Sequence, residues 1–232
     1  GEYGRHPISY KAHERILNYF HRINSLPKNS LVYKCLELSK ESHELGYKTW
    51  YSQVQDLIQS YSITITNNSV TRKSLKDSVK KHTRGHFERK WINDLKQTTG
   101  KLRTYAQFKS YFKAEPYLKL KHPKLRRDIA RFRVSSHNLE IERGRYTRNP
   151  PSPEMRICQQ CDMGIMEDEI HALLICPKYN NTRDDLIKEI SKHTTNFDSL
   201  SHTEKLKICL KNNDVTFLTL LGKHVSNINN NR

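Results

Sequence analysis

Residues 158–177 read Cys-Gln-Gln-Cys-Asp-Met-Gly-Ile-Met-Glu-Asp-Glu-Ile-His-Ala-Leu-Leu-Ile-Cys-Pro, which gathers Cys158, Cys161, His171 and Cys176 into one short segment. Zinc takes four such donors in a tetrahedron, and a Cys-x2-Cys turn offers two sulfurs to one side of it. Asp162-Met163-Gly164 supplies a loop. The stretch 166–175 reads as a short helix with Glu167, Asp168 and Glu169 at its N-terminal end, where the macrodipole favours negative charge. The step from His171 to Cys176 overshoots one turn of an ideal helix. Pro177 disfavours the helical conformation at Cys176, so the last sulfur can curl back from beyond the helix end. With all four positions filled by protein, one Zn2+ would be structural and keep no open position for water. It would stabilise a unit too small to fold alone. Two alternatives stand beside this reading: a chance set of buried thiols, or a redox pair at Cys158 and Cys161.

Cys35 and Cys209 lack metal spacing and read as core thiols. An odd set of five cysteines with no signal peptide ahead of it fits a reducing compartment, hence an intracellular protein, nuclear or cytoplasmic. The first residue is Gly rather than Met, which suggests a fragment. No stretch approaches the apolar length that spans a bilayer, and no lipidation signal is visible, so no membrane partner is expected.

Outward from the motif the chain reads as mainly α, because apolar residues recur at intervals of three and four and strict alternation is scarce. Leu31, Cys35, Leu38 and Leu45 share one face, as do Trp50, Val54, Leu57 and Tyr61, and Phe87, Trp91 and Leu95 repeat at four-residue steps. Such stripes are expected to bury themselves as core. The exception is Ser62-Ile63-Thr64-Ile65-Thr66, whose β-branched alternation predicts a short strand or extended loop. Gly144, Asn149, Pro150, Pro151 and Pro153 break regular structure over 143–156 and predict a domain boundary. The expected architecture is a helical bundle with a small C-terminal zinc-stapled helical module: a basic helical connector over 1–148, and over 149–232 the metal module with further helices near 181–193, 204–210 and 215–225. The Asn-rich end, 227–232, is expected to fray.

The formal net charge of +17 needs an anionic counterpart. Nucleic acid, RNA or DNA, is the expected partner; a basic surface that serves only solubility is the alternative. The stretch 119–148 carries ten Lys and Arg against Asp128, Glu140 and Glu142. With Leu125, Ile129, Phe132, Ser136 and Leu139 turned inward, Lys124, Arg126, Arg127, Arg131 and Arg133 would present cations to phosphates. Arg143, Arg145, Tyr146 and Arg148 follow, an aromatic among arginines that could stack on an unpaired base. A second run, 72–90, holds eight basic residues against Asp77 and Glu88. Either run alone can be merely a solvated face.

Several of these residues also form a recognisable pattern: Arg133-x3-His137-x-Leu139-x-Ile141-Glu142-x-Gly144-Arg145-Tyr146, then Cys158-x2-Cys161, then Glu167-Asp168-Glu169-x-His171-x-Leu173-Leu174-x-Cys176-Pro177-x-Tyr179-x3-Arg183. It resembles the tail that follows the polymerase domain in reverse transcriptases of animal retrotransposons lacking long terminal repeats. Gly1-Glu2-Tyr3-Gly4-Arg5-x-Pro7-Ile8 and Arg15-Ile16-Leu17-Asn18-Tyr19-Phe20 resemble the helical connector upstream of that tail. The resemblance runs to about Arg183 and weakens after it. It implies Cys158, Cys161, His171 and Cys176 as zinc ligands, template RNA or target DNA as ligand during target-primed reverse transcription, and the rest of a parent reverse transcriptase as partner. The nine residues between Cys161 and His171 exceed the four of a retroviral knuckle, so single-strand recognition of that kind is not implied.

No catalytic residue and no small-molecule substrate are expected. Polymerase chemistry needs paired aspartates on a tight turn, usually after an aromatic. Asp184-Asp185 is the only adjacent aspartate pair; it follows Arg183 and reads as helix N-terminal charge. Asp168-Glu169-Ile170-His171 imitates a helicase box, yet no Gly-x4-Gly-Lys-Ser/Thr loop accompanies it. The Pro-Asp pair of nucleases found in some related elements does not occur. A domesticated zinc-containing adaptor for another protein and a cryptic nuclease are the rival functions.

Overall fold

The computed structural model describes residues 1–64, 71–97 and 100–231, and the fold is mainly α. No strand occurs among the described residues; β pairing is limited to isolated antiparallel bridges, Tyr3 with Ala114 and Ile157 with Met166. Ser62 to Thr64 are not in a strand, Ile63 is buried, and Ile65 and Thr66 lie outside the described residues. The chain divides into two compact units, Arg5–Asn93 and a second made of Gly1–Gly4 with Asp94–Arg232.

In the helical unit, Arg5–Asn93, the helices are α1 (Ile8–Asn24), α2 (Leu31–Glu44), α3 (Trp50–Tyr61) and most of α4 (Arg72–Lys96). Leu17, Phe20 and Ile23 recur at three-residue steps and bury one face of α1. Val54 and Tyr61 from α3 and Leu75 and Val79 from α4 complete the core with Leu36 of α2. Trp50 and Leu57 are half-buried against it, as their stripe predicts. Ser30 caps α2, accepting from Tyr33 N at 3.3 Å, and Thr49 with Ser52 forms a capping box on α3.

The stripe on α2 is turned the other way from the expectation. Leu31, Leu38 and Leu45 are exposed, Leu38 at 61%, and Cys35 is exposed with them; only Leu36 reaches the core. The reason lies on the opposite side of the helix, where α2 meets the N-terminus of α3 and its orphan N–H groups. Ser39 Oγ accepts from Tyr51 N at 3.2 Å, the Ser39 carbonyl accepts from Thr49 Oγ1 at 3.1 Å, and His43 Nδ1 lies 2.9 Å from Ser52 Oγ. Cap satisfaction claims the inward face with polar residues, and the leucines go outside.

The second unit contains the end of α4, then α5 (Arg103–Phe108), α6 (Pro123–Arg133), α7 (Glu140–Arg143), α8 (Asn180–Ser191), α9 (His202–Lys211) and α10 (Val215–Asn230), with short 3-10 turns between them. Its central element is α10, which buries Phe217, Leu218, Leu221, Val225 and Ile228. It packs on α6 and α8. Gly222 permits the approach of α6, since a Cβ there would lie 2.9 Å from Leu125 Cβ. Ser226 Oγ donates to Asp128 Oδ2 at 2.6 Å across the same seam. Of the end expected to fray, residues 227–230 are the last turn of the central helix, with Ile228 fully buried, and Arg232 lies outside the described residues. Cys209 is buried, as expected of a core thiol.

The unit boundary falls at Asp94, not in the proline-rich stretch at 148/149. That stretch is tied into the second unit by Arg156, which donates to the Ile141 carbonyl at 2.6 Å and to the Pro151 carbonyl at 2.9 and 3.2 Å. Gly144 leaves room for its stem, which a Cβ would meet at 2.8 Å. At the other end of the chain, Glu2 is buried in this unit: its carboxylate accepts from Arg133 Nε at 2.9 Å and from the Tyr117 hydroxyl.

Candidate metal centre and basic surface

The metal motif is built in two halves. In the first, the Ile157–Met166 bridge and the Cys158 N–H to Ile165 carbonyl bond, 3.0 Å, close a hairpin. Gly164, at φ +65, turns its return arm through a left-handed conformation that glycine adopts without strain. Gln160 N donates to Cys158 Sγ at 3.4 Å, a contact that favours a thiolate there. In the second half, Asp168 Oδ1 accepts from His171 N at 2.8 Å and starts a helical turn.

That turn widens at once into a π-helix over His171–Ile175, with Cys176 N bonded to the His171 carbonyl at 2.7 Å. The five-residue step that exceeds one α turn is thus one π turn, a form met mainly at functional sites. The helix begins after Asp168 rather than at Met166, which is in the bridge. Arg183 on α8 closes the far side, donating through Nε to the Leu173 carbonyl at 3.2 Å and through Nη2 to the Cys176 carbonyl.

The ligand atoms of Cys158, Cys161, His171 and Cys176 all lie within 4.8 Å of one another, and Cys161 Sγ is 3.4 Å from His171 Nε2. Tetrahedral zinc with bonds of about 2.3 Å to sulfur and about 2.0 Å to nitrogen would set such pairs about 3.5–3.8 Å apart. The set can therefore close on one metal ion with small adjustments. Burial pushes the Cys158 thiol up to about 11 and raises the Cys176 thiol as well. Burial lowers the His171 pKa, which keeps the ring neutral and able to ligate. Clustered, desolvated thiols resist ionising next to one another, and a divalent cation supplies the charge that reverses this.

The acidic residues before His171 do more than decorate a helix end. Glu169 is almost fully buried and accepts from Ser135 Oγ at 2.6 Å, Arg103 Nη2 at 3.0 Å and Thr104 Oγ1 at 3.1 Å, with His137 Nε2 also at 3.1 Å. Burial alone would raise its pKa, but His137, Arg103 and Ser135 outweigh that and hold it down at about 2. Glu167 is fully buried, with Oε2 on Glu140 N at 2.8 Å and Oε1 3.1 Å from Cys158 Sγ. Only Asp168 plays the expected N-terminal part. Arg103 spans from Glu169 to Glu142, 2.8 Å away, and so couples α5, α7 and the metal turn.

The basic residues expected to meet phosphate divide sharply. Lys124, Arg127 and Arg131 are exposed along α6 and, with Ser136, Asn138 and Asn230, line a polar groove of 210 Å³. Arg126 is half-buried, its Nη1 on the Leu120 carbonyl at 2.5 Å. Arg133 is removed from the set altogether: it is 3% exposed, held by Glu2 and by Glu115 at 2.8 Å, and stacked over Phe108 with 4.6 Å to the ring centroid. Its spacing from Ile129 and Phe132 puts it on the buried side of α6, where distant carboxylates neutralise it. Arg143 is exposed but paired with Glu140 at 2.7 Å, and half-buried Arg145 is paired with Glu142 at 3.1 Å. Tyr146, 76% exposed, and Arg148 remain open to solvent.

Arg103, Arg156 and Arg183 were not singled out as ligands or supports by local pattern, since their partners lie far along the chain or on backbone carbonyls. Only Arg183 carried a signal, as the last position of the family-like pattern. Comparison with protein-family models, curated proteins and solved structures returned no match. Among the described residues no helix is long and apolar enough to cross a membrane.

Proposed function

We propose that this chain is a nucleic-acid-binding tail that holds one structural Zn2+, of the kind that follows the polymerase in retrotransposon reverse transcriptases, and that it positions template RNA or target DNA. The observation that carries the reading is a continuous link from the metal cluster to a cationic groove. Glu169 opens the turn bearing His171, and it binds His137, which lines the groove alongside Lys124, Arg127 and Arg131. A metal that fixes the turn also fixes the groove wall. Three thiolates and an imidazole favour zinc over harder cations, and four protein donors leave it a structural role. The residues that resemble the retrotransposon tail are the ones that build this link: His137, Glu142, Glu169, the four ligands and Arg183.

Native mass spectrometry should find one zinc per chain, lost in Cys158→Ser/Cys161→Ser. Binding to structured RNA and to duplex DNA should weaken steeply with salt, because each phosphate neutralised releases counterions. Arg127→Ala/Arg131→Ala should flatten that dependence. An unchanged mass on the cysteine variant, or a salt slope indifferent to the arginines, would count against the proposal. One observation favours a protein partner instead: the exposed Leu31, Leu38 and Leu45 face of α2. An adaptor would bind nucleic acid without salt-dependent specificity and lose its partner in Leu38→Glu.

A further inference from the structure

The helical unit has a cleft of its own. It lies between α1 and the first half of α4, measures 840 Å³, and none of its residues belongs to the metal-bearing unit. The helices run antiparallel here, since Tyr10 meets Phe87 and Glu14 meets Thr83 and Arg84 at one end, and the cleft extends toward Arg22 and Arg72 at the other. Lys11, Arg15 and Arg22 face it from α1, and Arg72, Lys76 and Lys80 from α4. None of these six forms an ion pair among the described residues, and all are exposed. The only carboxylate in the lining, Glu14, is engaged by the Thr83 hydroxyl at 3.3 Å and Arg84 at 3.5 Å. Cations brought together across a groove without counter-charges raise one another's energy, and an anion bound between them relieves it.

Length and volume say which anion. Lys11 to Arg22 covers roughly 16 Å of helix, which is the reach of several successive phosphates and not of one. The 840 Å³ of the cleft suits a short stretch of one strand rather than the breadth of a duplex. Tyr19 supplies what a phosphate comb alone lacks. It lines the same cleft, is about half exposed, and makes a T-shaped contact with Trp50, centroids 5.9 Å apart, so that an anchored aromatic ring offers open surface to a base. Cationic grooves with a fixed aromatic at the lip are how proteins hold single strands without reading sequence.

We infer that the α1–α4 cleft is a second, independent nucleic-acid site, which takes a few nucleotides of single-stranded RNA or DNA with their phosphates between the helices and one base on Tyr19. The inference does not rest on the reading of the metal centre. Its test uses the whole chain and a fluorescein-labelled oligothymidylate of about fifteen nucleotides, followed by anisotropy across a salt series. Lys11→Gln/Arg15→Gln/Lys76→Gln should lower the slope of log affinity against log salt by about two, as expected for three phosphate contacts to a single strand. Lys34→Gln/Lys48→Gln/Lys90→Gln removes equal charge from exposed positions of the same unit and should leave the slope nearly unchanged. Tyr19→Ala should weaken binding roughly five- to a hundredfold with the slope intact.

Equal slopes for the two triple variants would overturn the inference, as would polyglutamate of matched charge competing as well as the oligonucleotide. Arg127→Ala/Arg131→Ala, in the other unit, separates the two sites. If it abolishes oligothymidylate binding while the cleft variants do nothing, the cleft is not a site and the α6 groove accounts for the whole affinity.

Discussion

The two units of this chain solve the same problem, burying helices, with opposite chemistry. The helical unit closes on Leu17, Phe20, Ile23, Val54, Tyr61, Leu75 and Val79, and among its charged residues none is fully buried. The metal-bearing unit buries Glu2, Glu142, Glu167, Glu169, Arg133 and Arg156 among its apolar residues, each with named partners. Apolar packing is non-directional and tolerates adjustment, whereas a buried ion pair holds one geometry and is costly to break from one side. The contrast assigns robustness to the first unit and positional accuracy to the second, which carries the four residues that could hold a metal ion.

The harshest test of that contrast is metal removal. Chelation, or Cys158→Ser/Cys176→Ser, should abolish the thermal transition of the metal-bearing unit, since structural zinc can contribute roughly 10 kcal/mol in small domains. The transition of the helical unit should stay in place; a joint collapse in calorimetry would break the comparison. Next is Arg133→Ala, which leaves buried Glu2 without its cationic partner and Glu115 with Lys109 alone, and should cost about 3–5 kcal/mol in denaturant unfolding. Leu17→Ala is its counterpart in the helical unit, with an expected loss of about 3–4 kcal/mol. Each variant should move one transition and leave the other.

A gentler probe is pH. His224 is buried against the Leu173 carbonyl and near Arg183, and burial first, then that arginine, lower its pKa from 6.5 to about 4. The folded unit therefore binds this proton less readily than the unfolded chain. Its contribution is fully present above pH 6.5 and is lost as pH falls toward 4, a difference of about 3 kcal/mol. His224→Gln should flatten stability over that window, read as the difference between the two proteins. The smallest expected effect is at the exposed Arg127, where Ala should change stability by under about 0.5 kcal/mol, in contrast to its neighbour on the same helix, Arg133.

The sequence showed the parts that depend on local spacing. The Cys158, Cys161, His171 and Cys176 cluster was legible because a metal site asks for donor residues at short separations, and the mainly α fold because stripes such as Trp50, Val54, Leu57 and Tyr61 repeat with helical period. What spacing does not show is which side of a helix faces in. On α2 the leucine stripe lost its place to Ser39 and His43, because the N–H groups at the start of α3 needed acceptors. On α6 the same blindness hid the burial of Arg133, whose carboxylates come from Glu2 and Glu115. Prolines at 150, 151 and 153 looked like a linker and proved to be a bracket, because the Arg156 guanidinium holds the Pro151 carbonyl and its backbone N–H the Pro153 carbonyl. The π turn was half visible, as an awkward five-residue step whose cause was read as chain reversal.

Glu2 has a practical bearing on how the protein can be dissected. Residues 1–4 belong to the metal-bearing unit, pinned by the Glu2–Arg133 pair and by the Tyr3–Ala114 bridge, where Gly4 passes so close to Ala114 that a Cβ would fall 2.6 Å from its nitrogen. Residues 5–93 are thus an insertion in the sequence of another folded body, and no single cut releases either. A fragment beginning at Asp94 would carry Arg133 with one of its two carboxylate partners missing. Whoever excises the metal-bearing unit must splice Gly1–Gly4 back on or supply Glu2 in trans as a short peptide.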